Sequence, residues 1–287
     1  MSELPTREPF DPAKFVKEAV AKIREEVGGE KAVVAVSGGV DSTTTAVLAR
    51  KALGERLIPI VIDTGFMRKG EVYRTARILG SPPLNMPVRI LRARTRFYYN
   101  LMGRSDAEEK RKVFRKVFYE TIGEFAEAAK CKVLVQGTIA PDVIETVGKI
   151  KTQHNVLTQV GIDPKVFNIE KVVEPLAELY KDQVRQVARH LGVPEEIAER
   201  QPFPGPGLVV RIVGTLTRKK LRVILDATEI VEREFERRVR PLPEQYFPAV
   251  MTGTKEAAGE ETEFFRERVG TALKCWRLVA AKATGVK

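Results

Sequence analysis

Apolar positions follow two rhythms along this chain, one helical and one near-continuous, and the two alternate. Asp11-Pro12 reads as an N-cap with a first-turn proline, after which Phe15, Ala19, Ile23 and Val27 share one face until Gly28-Gly29 ends the helix. Ala32-Val33-Val34-Ala35-Val36 then reads as a short buried strand, residues 43–53 as a helix stopped by Gly54, and Leu57-Ile58-Pro59-Ile60-Val61-Ile62 as a strand buried on both faces. The spacing goes on to predict a helix at 71–79, a strand at 86–91, a long helix at 107–129 and a strand at 132–135. After it come a strand at 172–176 and an amphipathic helix at 182–191 with Val184, Val187, Ala188 and Leu191 inward. Strand and helix in alternation predict an α/β protein with a doubly wound parallel sheet.

Both rhythms fail over residues 147–168, inside a candidate lid at 146–170. Pro202-Phe203-Pro204-Gly205-Pro206-Gly207 supplies a rigid, extended boundary. Beyond it a short strand is expected at 209–213, then one helix carrying Leu221, Ile224, Leu225, Ala227, Val231 and Phe235. A second helix carries Phe265, Val269, Leu273, Trp276 and Ala280. The expected organisation is an N-terminal helix at 1–30, a main domain at 31–208 and a small, mostly helical C-terminal domain at 209–287.

The chemistry gathers where the first strand meets its helix. In Ser37-Gly38-Gly39-Val40-Asp41-Ser42-Thr43 two glycines permit a tight bend, and the helix start beyond them leaves backbone N–H groups without partners. Such a turn binds anions, and Ser37, Ser42 and Thr43 add hydroxyl donors. Asp41 is the lone carboxylate there; an acid inside a phosphate cradle repels its ligand unless a cation lies between them, which assigns Asp41 to Mg²⁺. The Gly-Lys-Ser/Thr ending of the Walker loop is missing, so the cradle is not that of a kinase or GTPase.

Further candidates sit at later strand ends. Asp63 either caps a turn or contacts the ligand seated at the cradle, and its place beside a phosphate cradle favours the second. Gly137 permits close backbone approach, while Asp142 and Glu145 read equally as a divalent-ion or ribose contact and as first-turn helix acids. The lid run Gly148-Lys149-Ile150-Lys151-Thr152-Gln153-His154 would neutralise phosphate and exclude water on closing. His190, in the last turn of its helix, reads instead as a dipole partner.

Composition changes this picture little. An apolar share of 43% supplies a core, and no run nears the eighteen apolar residues of a membrane span. The polar start lacks a signal peptide's layout, so a cytoplasmic protein with no membrane association is expected. The net charge of +11 raises the possibility of RNA, but Arg and Lys alternate with Glu, which favours a salt-bridged surface. Cys131 and Cys275 form no CxxC pair and read as buried spectators.

Ser37-Gly38-Gly39-Val40-Asp41-Ser42 resembles the pyrophosphate loop of the ATP pyrophosphatases. Four later stretches resemble, in order, the ATP-pyrophosphatase part of the GMP synthase family. They are Gln136-Gly137-Thr138-Ile139 with Pro141-Asp142-Val143-Ile144-Glu145; Ile150-Lys151-Thr152 with His154-Asn155-Val156; Glu174-Pro175-Leu176 with Tyr180-Lys181-Asp182; and Pro202-Phe203-Pro204-Gly205-Pro206-Gly207-Leu208 with Val210-Arg211.

The resemblance implies the adenine-nucleotide α-hydrolase fold and amination of xanthosine monophosphate with ATP and Mg²⁺, through an adenylated intermediate. By the same resemblance Ser37, Gly38, Gly39, Val40, Asp41, Ser42, Thr43, Asp63, Gly137 and Thr138 bind ATP. Asp41 and Asp142 hold Mg²⁺; Lys151, His154 and Arg211 contact the substrate; and Asp41, Lys151 and His154 take part in catalysis. Neither cysteine lies in a Gly-x-Cys-x-Gly turn, so a separate glutaminase subunit is the implied ammonia donor, with a homodimer expected. Two departures stand out. Gln153 replaces the first of the family's paired lid histidines, with Leu157-Thr158 where glycines follow, and the resemblance fades after Val250, which suggests a divergent, shortened C-terminal domain. Two alternatives follow: a relative adenylating another nucleotide or a tRNA base, and a non-catalytic nucleotide-binding protein.

Overall fold

The computed structural model describes residues 10–142, 169–200 and 203–239, with side chains as far as Arg233. The expected lid therefore lies outside the described residues except for Ile169 and Glu170, and so do Lys151, His154, Glu145, Cys275 and the helix expected at 262–283.

Helix α1 (Pro12–Val27) starts as its sequence requires: Asp11 Oδ1 accepts from the N–H groups of Ala13 and Lys14 at 2.8 and 3.1 Å. Its buried face is Val16, Ala19, Ile23 and Val27. Phe15, expected inward, is only half-buried, with its ring 5.9 Å from that of Phe10. Strands β1 (Ala32–Ala35), β2 (Leu57–Asp63), β3 (Arg89–Arg92), β4 (Val133–Val135) and β5 (Lys171–Val173) form one parallel sheet in the order β3-β2-β1-β4-β5. The doubly wound α/β reading of the sequence is correct.

Ala32 pairs with Leu57 on one side and Val133 on the other, so β1 lies in the middle. The chain winds outward from β1 through β2 to β3, then returns to add β4 and β5 on the opposite side. Between β1 and β4 the winding reverses, and open α/β sheets bind ligands beyond the carboxyl ends of strands at such a switch point.

Helix α2 (Val40–Leu53) begins three residues earlier than expected, because Gly39 takes an extended conformation and acts as the N-cap. This draws Asp41 and Ser42 into the first helical turn. Thr43, Thr44 and Thr45 are fully buried, and Thr44 Oγ1 donates to Val40 O at 2.7 Å. The helices that follow are α3 (Glu71–Gly80), α4 (Arg94–Leu101), α5 (Ala107–Ala128), α6 (Lys181–His190), α7 (Glu195–Ala198) and α8 (Arg218–Val239). Sequence pattern misses α4, whose only apolar signal is the Phe97 and Leu101 pair four residues apart; both are fully buried.

The described chain gathers into two compact units, and neither is one stretch of sequence. Of the described residues, the first joins 10–65, 70–96, 115–142 and 169–200; the second joins 66–69, 97–114 and 203–239. Within the second, Phe66 and Phe97 both pack on Phe114, at 6.5 and 4.8 Å between ring centroids.

The strand expected at 209–213 is instead a 3-10 helix, Gly207–Arg211. Val209 and Val210 favour strand locally, but Gly207 sits at φ 68° against the backbone of Phe66, where a Cβ would fall 2.4 Å from the Phe66 carbonyl oxygen. Leu208 N then donates to that same oxygen at 2.7 Å, and the tight turn continues. The fully buried Lys110 closes this segment by donating to the carbonyls of Ile212 and Gly214, both at 2.6 Å. Burial pushes the Lys110 ammonium below its usual range, with Lys220 nearby adding to the effect.

Candidate active site

Within the first unit, β1 leads directly into the glycine bend. Val36 N still donates to Ile60 O at 2.8 Å, so the last backbone bond of the sheet fixes where the bend begins. Gly38 then takes φ 82°, which an L side chain adopts only under strain. The bend is closed by hydroxyls. Ser42 Oγ accepts from Ser37 N at 3.1 Å, donates to Gly39 O at 3.2 Å and lies 3.0 Å from Ser37 Oγ. Gly39 N reaches Ser37 Oγ at 3.4 Å, too long for a strong bond. The first N–H groups of α2 have no carbonyl one turn back, so the bend presents backbone donors at a helix start.

The neighbouring strand comes close. A Cβ on Gly137, two residues past β4, would lie 3.1 Å from Ser42 N and 3.2 Å from both the carbonyl carbon and the oxygen of Asp41. Glycine is what lets the β4 edge touch the first turn of α2. Asp41 Oδ2 pairs with Lys181 Nζ at 2.5 Å, while Asp41 Oδ1 is buried without a hydrogen-bond partner among the described residues. A dry, unpaired carboxylate oxygen at an anion-binding turn fits a cation bound together with phosphate oxygens. No group of three or more His, Cys, Asp or Glu side chains among the described residues could hold a metal. Mg²⁺ takes one or two carboxylates and otherwise keeps water and phosphate ligands.

Asp63 and Asp142, the other acids of interest, already serve the backbone. Asp63 Oδ1 accepts from Gly65 N at 3.2 Å and Oδ2 from Arg94 Nε at 2.7 Å, so the turn-capping role is present. Asp142 Oδ2 accepts from Ile139 N at 3.0 Å, the local turn bond of a residue near a helix start.

Beside the bend, the β4 and β5 ends carry a polar network. Tyr119 OH donates to Gln136 Oε1 at 3.0 Å, Gln136 Nε2 to Thr138 Oγ1 at 3.0 Å, and both Gln136 Nε2 and Thr138 Oγ1 to Glu174 Oε1. Tyr119 is part-buried as a residue, yet burial of its hydroxyl pushes its pKa up to about 12, with the charges of Glu174 and Asp142 adding and Arg115 opposing. Arg200 borders the bend as well, with Nη2 2.7 Å from Glu71 Oε1 and Nη1 donating to Gly38 O at 3.3 Å.

In the second unit, Arg211 and Arg68 both lie over the Phe203 ring, at 5.4 and 4.2 Å from its centroid. Arg211 Nη1 is buried without a hydrogen-bond partner among the described residues. Burial and the Arg68 charge lower the Arg211 pKa, while Glu232 opposes them.

Thus Ser37, Gly38, Gly39, Val40, Asp41, Ser42, Thr43, Gly137 and Thr138 come together at the sheet switch point, with Asp63 at the end of β2. The sequence reading does not place Lys181, Arg200 or Tyr119 at the site. Lys181 offers a signal as a cation opening an amphipathic helix, but nothing local points from Arg200 to a loop 162 residues away.

The chain matches the NAD synthase family over residues 12–205. It is 47% identical over 278 residues to a subunit of the glutamine-hydrolyzing GMP synthase of Sulfurisphaera tokodaii, covering 97% of this chain and 71% of that protein. This match continues past Val250, where the motif resemblance stops. The corresponding GMP synthase subunit of Methanopyrus kandleri is 47% identical over 263 residues, covering 89% of this chain and 81% of that protein. Among solved structures, the NH3-dependent NAD synthetase of Campylobacter jejuni is similar in fold, with a TM-score of 0.50 at 18% identity, covering 81% of this chain and 90% of that one. By these matches, the chain belongs to the NAD synthase family of ATP pyrophosphatases and, within it, to the synthetase subunits of GMP synthase.

Proposed function

We propose that this chain is the ligase subunit that aminates xanthosine monophosphate to GMP. Its C2 oxygen attacks the α-phosphorus of ATP, the bond to the β-phosphate breaks, and pyrophosphate leaves. Ammonia then adds at C2 and AMP departs. The observation that carries this reading is 47% identity over 97% of the chain to a protein named as a GMP synthase subunit.

The geometry supports the first half-reaction. Negative charge grows on the departing pyrophosphate, and the Ser37 and Ser42 hydroxyls close the bend so that the helix-start N–H groups are held in place and stabilise the transition state without reorganising. Asp41 would hold Mg²⁺ through the oxygen that has no hydrogen-bond partner among the described residues, with Asp142 as a second candidate, and the ion would offset the negative charge of the phosphates. No protein nucleophile is needed, since one substrate attacks the other; the chain positions and desolvates. Lys151 and His154 are proposed to cover the adenylate, and Arg211, whose buried Nη1 has no hydrogen-bond partner among the described residues, to contact substrate. Ammonia would come from a separate glutaminase subunit, and a homodimer is proposed through residues 209–287. Among the described residues no helix is long and apolar enough to cross a membrane.

The test is direct: the purified chain is given Mg²⁺, ATP, ammonia and xanthosine monophosphate, and GMP and pyrophosphate are followed. Equal yields of the two are expected. Pyrophosphate release only with another acceptor, or ATP binding without turnover, overturns the reading.

A further inference from the structure

Arg200 belongs to none of the roles above, yet its guanidinium reaches the bend. Nη2 pairs with Glu71 Oε1 at 2.7 Å and Nη1 donates to Gly38 O at 3.3 Å. The Glu71 side chain is 3% exposed and that of Arg200 19%, so the pair is held away from bulk water, where a charge-assisted bond keeps its geometry. Both flanks are fixed. Glu71 opens α3 and Thr75 follows one turn later on the same buried face. Arg200 N donates to Ile197 O at 3.2 Å, and α7 is tied back to α3 by Arg74 and Glu196 at 2.6 Å.

Gly38 is squeezed between these parts. A Cβ there would lie 2.5 Å from Thr75 Oγ1 and 3.1 Å from Arg200 Nη1. The peptide joining Gly38 to Gly39 is planar and trans, so its carbonyl and its N–H point in opposite directions. A guanidinium holding the Gly38 carbonyl on one side therefore aims the Gly39 N–H at the other. Among the described residues that N–H makes only a 3.4 Å contact to Ser37 Oγ, which leaves it available to a ligand.

We infer that Arg200, braced by Glu71, is a positioning residue that locks the Gly38–Gly39 peptide with its N–H facing the pyrophosphate of ATP. This rests on the proposed adenylation chemistry. A guanidinium is required, since two donors must serve a carboxylate and a carbonyl in one plane, and an ammonium is a point donor that lacks that fork.

The experiment measures kcat and KM for ATP and for xanthosine monophosphate in wild type, Arg200→Lys, Arg200→Ala and Glu71→Gln, together with the melting temperature of each. A misplacement of about 1 Å costs up to about 100-fold. Arg200→Lys and Arg200→Ala are expected to lose about 10- to 100-fold in kcat/KM for ATP, and Glu71→Gln about 3- to 10-fold. The KM for xanthosine monophosphate should hold within about twofold of wild type, since the geometry at risk is that of one phosphate-facing peptide. Added guanidinium ion should restore part of the Arg200→Ala activity, which a purely structural role would not allow. ATP parameters at the wild-type level in Arg200→Lys, equal losses for both substrates, or no rescue of Arg200→Ala by guanidinium overturns the inference. Should Arg200→Ala not fold, Arg200→Lys and Glu71→Gln decide the matter by the same split. A wild-type chain that fails to release pyrophosphate with xanthosine monophosphate sinks the proposed function instead, so the two failures are distinct.

Discussion

Two neighbouring strand ends in the first unit solve opposite problems. The bend after β1 is built from small residues and leaves polar capacity unused: a helix start rich in backbone donors, a 3.4 Å contact at Gly39 N, and an Asp41 oxygen with no hydrogen-bond partner among the described residues. The end of β4 spends its capacity internally, linking Tyr119, Gln136, Thr138 and Glu174 in one chain of hydrogen bonds. Unsatisfied buried polar atoms cost free energy, so a fold keeps them where a ligand repays the cost. A satisfied network resists displacement and holds its strand in place. Under the proposed function the open edge supplies the donors that meet the phosphates, and the closed edge is the frame against which they are set.

The sharpest way to break this contrast is to neutralise the open edge. Asp41→Asn should lower turnover by about 100-fold or more, because the carboxylate proposed to hold the cation is lost and the proposed chemistry depends on electrostatic stabilisation. Stability should hardly change. The Lys181 pair that goes with it is partly exposed, with side chains 41% and 25% accessible, and such pairs contribute about 1 kcal/mol or less. Urea unfolding within about 1 kcal/mol of wild type, beside a near-dead enzyme, is the expected pair of results. Full activity would remove Asp41 from any metal role.

Gly38→Ala attacks the same edge through its backbone. The added methyl group meets both a left-handed φ, costing about 1–2 kcal/mol, and Thr75 Oγ1 at 2.5 Å, costing about 1–3 kcal/mol more. A loss of about 2–5 kcal/mol in denaturant unfolding is expected, with ATP affinity falling too. Equal stability would mean that the bend relaxes freely and is not held from behind.

The open edge was legible in the sequence for a physical reason. A strand, two glycines, an acid and a helix start are local, and their chemistry follows from backbone geometry that neighbours in sequence determine. The parallel sheet was legible too, since the unbroken apolar run at Leu57-Ile58-Pro59-Ile60-Val61-Ile62 is what a strand covered on both faces requires. What escaped depends on residues far apart along the chain. Arg200 meets Gly38 only because α7 and α3 converge, and Tyr119 meets Gln136 only when the long helix α5 lies beside the β4 end. At Val209 and Val210 β-propensity points to a strand, but the Gly207 contact with Phe66 decides the conformation.

The gentlest test concerns the closed edge, and it should show up in pH dependence rather than in activity alone. The Tyr119 pKa is raised from its ordinary 10.0 to about 12, chiefly by burial. A neutral hydroxyl is therefore favoured more in the folded chain than in the unfolded one. Its contribution is intact below pH 10 and is lost as pH rises through about 12, because the unfolded chain releases that proton first. Tyr119→Phe removes the titration. Near pH 8 it should cost about 1 kcal/mol, the net value of the bond to Gln136. Between pH 10 and 12 the wild type should lose up to about 2 kcal/mol that the variant keeps, so the gap closes and then reverses. Urea midpoints of both proteins across that range measure it. Parallel curves would mean that the hydroxyl is not held in a dry network, and the closed edge would then be no more closed than the bend beside it.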